Sequence, residues 1–81
     1  MKKIYKYGPV TLDYDCTVEG TIVHVGMQGR HIYVWAEQNP NMPKSIVKFV
    51  PTGLEYDGIY VGTVLEADGL LVWHVIMKTV W

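Results

Sequence analysis

The stretch Ile59-Tyr60-Val61-Gly62-Thr63-Val64-Leu65-Glu66, then Ala67-Asp68-Gly69, then Leu70-Leu71-Val72-Trp73-His74-Val75-Ile76-Met77 decides the fold. Two runs rich in Val, Ile and Leu flank an Asp-Gly pair, a strong short-range signal for a β-hairpin. Two registers are open. A two-residue loop at Asp68-Gly69 sets Val64 opposite Trp73 and Thr63 opposite His74. A type I turn at Ala67-Asp68 with a bulge at Gly69 slips the pairing and sets Gly62 opposite His74. Both hairpin faces are largely apolar, so both are expected to be covered, one of them by a second subunit.

Working outward from the hairpin, Lys3 to Tyr7 alternates as a first strand with Tyr5 and Tyr7 on one face. Val10 to Asp15 is ambiguous, and Cys16 to Glu19 reads as a short edge strand. Thr21 to Met27 and Arg30 to Glu37 read as a hairpin with a tight turn at Gln28-Gly29. In that register Val23, Val25, Ile32, Val34 and Ala36 share one core-like face. Ile22, His24, His31, Tyr33 and Trp35 share the other. Asn39 to Pro43 is a loop whose prolines cannot donate to a ladder. Ser45 to Val50 is a strand, Leu54 to Gly58 a connector with room for one helical turn, and Lys78 to Trp81 a tail. No segment holds a 3.6-residue period. The expectation is one all-β domain over 1–81: a small antiparallel meander of five to seven strands, curled into a half-barrel or sandwich, with no long helix.

Composition narrows the function classes. Eighty-one residues bury a small core, yet 49% hydrophobic content argues against disorder. Seven basic and eight acidic residues give a net charge of −1, so no general nucleic-acid binding is expected. A single cysteine, Cys16, excludes an intrachain disulfide and points to a reducing cytoplasm. No apolar run is long enough to cross a bilayer as a helix, and the lysine-rich start lacks the apolar segment of a signal peptide.

Catalytic motifs are missing. Ser45 stands alone, outside any Gly-x-Ser-x-Gly elbow, and no phosphate-cradling glycine loop is present. Asp15 beside Cys16 disfavours a thiolate, so Cys16 reads as core filler. His24 and His31 are diagonal neighbours in the Gln28-Gly29 register, but lack a compact metal-ligand spacing. No metal, cofactor or enzymatic activity is expected. The face of His24, His31, Tyr33 and Trp35 with Ile22, flanked by Arg30, is the best candidate site. Planar rings stack on bases, and Arg and imidazole donors suit phosphates. The same side chains suit a protein interface or plain packing against another layer. Tyr5 and Tyr7, beside Lys3 and Lys6, repeat the theme weakly. His74 reads as a structural residue satisfied by Thr63 in one register, or as a donor to a ligand at a subunit junction.

The chain has a Lys2-Lys3-Ile4-Tyr5-Lys6-Tyr7 start, a Tyr33-Val34-Trp35-Ala36 strand and a Pro-rich loop. Phe49, Thr52-Gly53, Tyr60-Val61-Gly62-Thr63 and Trp73-His74-Val75 follow. This order of landmarks, over roughly residues 3–76, resembles a family of small bacteriophage and prophage proteins catalogued as a domain of unknown function. The connector at Glu55-Tyr56-Asp57 departs from the related sequences. The resemblance implies an accessory protein made in the cytoplasm of an infected bacterial host. That context suggests counter-defence by sequestering a small nucleotide-type signal in a pocket of a homo-oligomer. The alternatives are an inhibitor that masks a host defence protein through a sheet edge or aromatic face, and a structural or assembly accessory.

Overall fold

The computed structural model describes residues 1–66 and 69–79, as seven β-strands without a helix. The strands are β1 (Ile4–Val10), β2 (Cys16–Val18), β3 (Thr21–Gln28), β4 (His31–Glu37), β5 (Ser45–Pro51), β6 (Ile59–Glu66) and β7 (Leu71–Thr79). They form two antiparallel sheets, β1-β4-β3 and β2-β5-β7-β6, which pack face to face and do not close into a barrel. β3–β4 and β6–β7 are local hairpins, as the turn signals between their apolar runs predict. The remaining order is not that of a simple meander, because β1 joins β4 and β5 joins β7.

The core lies between the sheets. Val10, Ile32, Val34 and Ala36 meet Val18, Val47, Val64 and Val75 from the opposite layer. Val18, Val34, Val47 and Val75 are the largest side chains that are wholly buried. β-branched residues suit a pleated surface buried on one side, and each contributes about 1.5–3 kcal/mol on leaving water. The layers approach closely where β3 meets β6. A Cβ on Gly62 would run into Val25 Cγ2, so this crossing requires a residue without a side chain.

In the closing hairpin Val64 pairs with Trp73 and Thr63 with His74, the first of the two registers. Ala67 and Asp68 themselves lie outside the described residues. The β3–β4 turn differs from the expectation: Gln28 pairs with His31, so Gly29-Arg30 makes the loop. Gly29 has φ +61°, the left-handed conformation that a tight hairpin turn demands at its first position.

The register shifts once more in β3, where Ile22 pairs with Ala36 and His24 with Trp35. Val23 is the extra residue of a bulge and is 51% exposed. Ile22 therefore packs against the core cluster while Val23 leaves it, which reverses the expected places of these two residues. Comparable breaks occur at Gly8-Pro9 in β1, between Tyr7 and Val10, and at Val61 in β6, between Tyr60 and Gly62.

Two further expectations change. Residues 54–58 form no helical turn; the chain from Thr52 to Gly58 is an irregular strap. It must return along β7, because β5 and β6 both run antiparallel to that strand. Lys78 belongs to β7 rather than to a tail, while Val80 and Trp81 lie outside the described residues.

Candidate functional site

The alternation in β4 sends Ile32, Val34 and Ala36 inward and His31, Tyr33, Trp35 and Glu37 outward. Beyond its bulge, β3 adds His24, Gly26 and Gln28 to the outer face, opposite Trp35, Tyr33 and His31 respectively. On the other side, β1 adds Lys6, opposite Trp35. Lys6, Trp35 and His24 thus form one row across three strands, with Tyr33 and Gln28 beside it.

The contacts within this platform are specific. The His24 and Trp35 rings lie 5.2 Å apart between centroids, tilted by 49°. Gly26 leaves room for them: a Cβ there would sit 3.1 Å from His24 Nε2 and 3.7 Å from Trp35 Cζ3. The Lys6 ammonium lies 4.8 Å from the Tyr33 ring centroid and donates a 2.9 Å hydrogen bond to Gln28 Oε1. The ring face holds the cation over the sheet and the amide fixes its direction. Glu37 closes the far end in a 3.1 Å ion pair with Lys2. Trp35 and Tyr33 are half-buried and His24 is exposed, so ring surface faces outward.

The residues singled out from the sequence are distributed as follows. His24, Tyr33 and Trp35 come together on the platform. His31 shares that face but lies opposite Gln28, four residues along β3 from the His24 position, or about 13 Å at an ordinary strand rise. The two histidines are therefore not the neighbours that a shared ion would need. Arg30 is exposed in the β3–β4 turn, where it rims the open end of the sandwich. Tyr5 and Tyr7 pair with Ala36 and Val34, on the side opposite the platform. Tyr7 packs on the core, and its hydroxyl donates to the Glu19 carbonyl at 3.2 Å.

His74 belongs to the other sheet. Its Nε2 lies 2.7 Å from Thr52 Oγ1 and its Nδ1 3.0 Å from Thr63 Oγ1, which in turn lies 2.6 Å from the Tyr60 hydroxyl. Both ring nitrogens are already engaged by the protein. Three of the stretches that carry the family resemblance meet in this chain of side chains.

Sequence reasoning missed Lys6 and Gln28 as members of the platform. The amphipathic alternation of β1 was visible, but not which strand it would join. Also missed was a groove of about 440 Å³ on the outer face of the four-stranded sheet. None of the expected site residues lines it. Among the described residues no cluster of three or more His, Cys, Asp or Glu is placed to hold a metal. No helix among them is long and apolar enough to cross a membrane. Cys16 is partly buried against the core, and that burial pushes its thiol above the ordinary value of 9.0.

The platform combines stacking surface with one oriented cation, and offers no nucleophile paired with a base. The fold that carries it has a family. A model for a domain of unknown function, DUF7352, matches residues 1–80, and the chain belongs to that family. No curated protein and no solved structure matches the chain.

Proposed function

We propose that this is a non-catalytic binding protein of bacteriophage type that sequesters a small nucleotide-type ligand as a counter-defence. One observation carries the reading: the Lys6–Trp35–His24 row sets a cation and two stacking rings side by side on an exposed face. A base would lie on Trp35 and His24, a contact worth about 1–3 kcal/mol per base. The phosphate would meet the Lys6 ammonium that Tyr33 and Gln28 hold in place. A flat platform covers one side of such a ligand. A second copy of the chain, its platform turned to the first, would cover the other, which is the reason to expect a homo-oligomer. The phage context and the host cytoplasm rest on the resemblance of the sequence.

The test is native mass spectrometry of protein purified from its bacterial host, followed by titration calorimetry with mononucleotides and cyclic dinucleotides. The expected result is an oligomer carrying a few hundred extra daltons per site. Trp35→Ala should then lose about tenfold or more in affinity while keeping its β-sheet circular dichroism. Protein that arrives without added mass and binds no nucleotide would sink the proposal.

A second reading is favoured by the exposed apolar side chains Leu54, Ile59, Tyr60 and Leu65 around the strap and β6. Exposed apolar side chains of this kind suit a protein contact. On this reading the protein masks a host defence protein, and co-purification of one host partner in place of a nucleotide would select it. A structural or assembly accessory would bring down neither.

A further inference from the structure

The groove on the four-stranded sheet is built from parts far apart in the chain. Its floor is Ile46 and Val50 of β5 with Ile76 of β7, and Ile76 is 6% exposed. One wall is the β1–β2 connection, where the Tyr14 amide donates a 3.4 Å hydrogen bond to Thr11 Oγ1. The opposite wall is the strap, pinned at one end by Thr52 on His74 and at the other by Asp57 on Lys78, at 2.6 Å. Each wall presents a phenol ring, Tyr14 and Tyr56, 81% and 49% exposed. Neither tyrosine belongs to the core between the sheets.

The charges lining the groove are two of each sign. Lys78 and Asp57 neutralise one another. Lys48 stands on β5 opposite Ile76, and Asp15 stands at the end of the first wall. Neither is in an ion pair among the described residues. A largely apolar floor between two rings, with one uncommitted ammonium rising from its middle between Ile46 and Val50 and one uncommitted carboxylate at its margin, complements a particular kind of molecule.

We infer that this groove is a second ligand site, independent of the platform, for a small aromatic zwitterion of the size of an aromatic amino acid. The ring lies on Ile46, Val50 and Ile76 between Tyr14 and Tyr56. The carboxylate meets Lys48 and the ammonium meets Asp15. Volume agrees, since pockets for small organic ligands run from about 300 to 1,000 Å³. The neutral sum of the lining charges disfavours a simple anion, which Asp15 would repel.

Chemical-shift mapping tests this on the intact protein, with L-tryptophan as the probe. Indole-3-propionate, which lacks the ammonium, and tryptamine, which lacks the carboxylate, serve as comparisons. The expected result is a saturable shift of the Tyr14, Ile46, Lys48 and Tyr56 resonances with L-tryptophan. Lys48→Met and Asp15→Asn each weaken it about tenfold, the usual effect of one lost charge-assisted hydrogen bond. Both residues are exposed, so the fold survives either change. The proposal is overturned if L-tryptophan leaves the groove resonances unmoved, or if either half-ligand binds as tightly. It is also overturned if the shifts gather at Lys6 and Trp35 on the opposite sheet. The first two of these results leave nucleotide binding at the platform untouched.

Discussion

Thr52 Oγ1 and His74 Nε2 lie 2.7 Å apart and tie an irregular connection to the middle of a central strand. On the far side of the ring, Thr63 Oγ1 holds Nδ1 at 3.0 Å. One imidazole thus fastens the strap on one side and the edge strand β6 on the other. Thr52→Val keeps the shape and removes one partner, and should cost about 1 kcal/mol. His74→Ala leaves both hydroxyls without the ring and should cost about 1–3 kcal/mol. Urea unfolding measures both. A His74→Ala loss no larger than that of Thr52→Val would mean that the Thr63 contact adds nothing.

Asp57 makes the second pin. The hydrogen bond and charge of Lys78 hold its carboxyl below the ordinary value of 3.8. A carboxyl with a depressed folded pKa adds stability above its unfolded pKa, and loses it as pH falls through the folded one. The pair is exposed, so salt weakens it. Asp57→Asn should therefore be less stable than the parent at pH 7 in low salt, and indistinguishable from it once acid has protonated the carboxyl in both folded and unfolded chains. A gap that persists in acid would assign the effect to something other than the ion pair.

Gly62 of β6 lies against Val25 of β3 with no room for a Cβ. Gly62→Ala overpacks that crossing and should cost about 1–3 kcal/mol. Adding Val25→Ala makes room for the new methyl, so the double variant should lose less than the two single losses combined. Strict additivity in a double-mutant cycle would show that the strain lies elsewhere.

The Cys16 thiol, pushed upward by burial, carries less thiolate in the folded protein than in the unfolded chain. At pH 8 a disulfide reagent should label native protein several times more slowly than protein in denaturant. Equal rates would place the thiol in water.

Much of this arrangement was legible from residue order. The inward face of β4 follows from alternation, a local property, whereas turn chemistry left two registers open for the closing hairpin, of which the chain adopts the one that pairs Thr63 with His74. The exchange of Ile22 and Val23 was not legible. Either residue is apolar enough for the core, and only the bulge decides between them. Lys6 reached the platform through a pairing of β1 with β4 across more than twenty intervening residues, which no local pattern encodes. The groove was hidden for the same reason, since its walls belong to two connections that meet only after the sheet has formed.

The interruptions in β1, β3 and β6 have a shared meaning. These three strands and β2 are the four outer strands of the two sheets. Gly8-Pro9 breaks the first, Val23 the second and Val61 the third, while β2 is only three residues long. A sheet recruits a foreign strand through a straight, unbroken border, and here every border is kinked or too short to template one. The molecule is built against growing by strand addition, into fibres or onto another protein's sheet. The broad sides of the sandwich, where the rings and lysines are, carry no such guard.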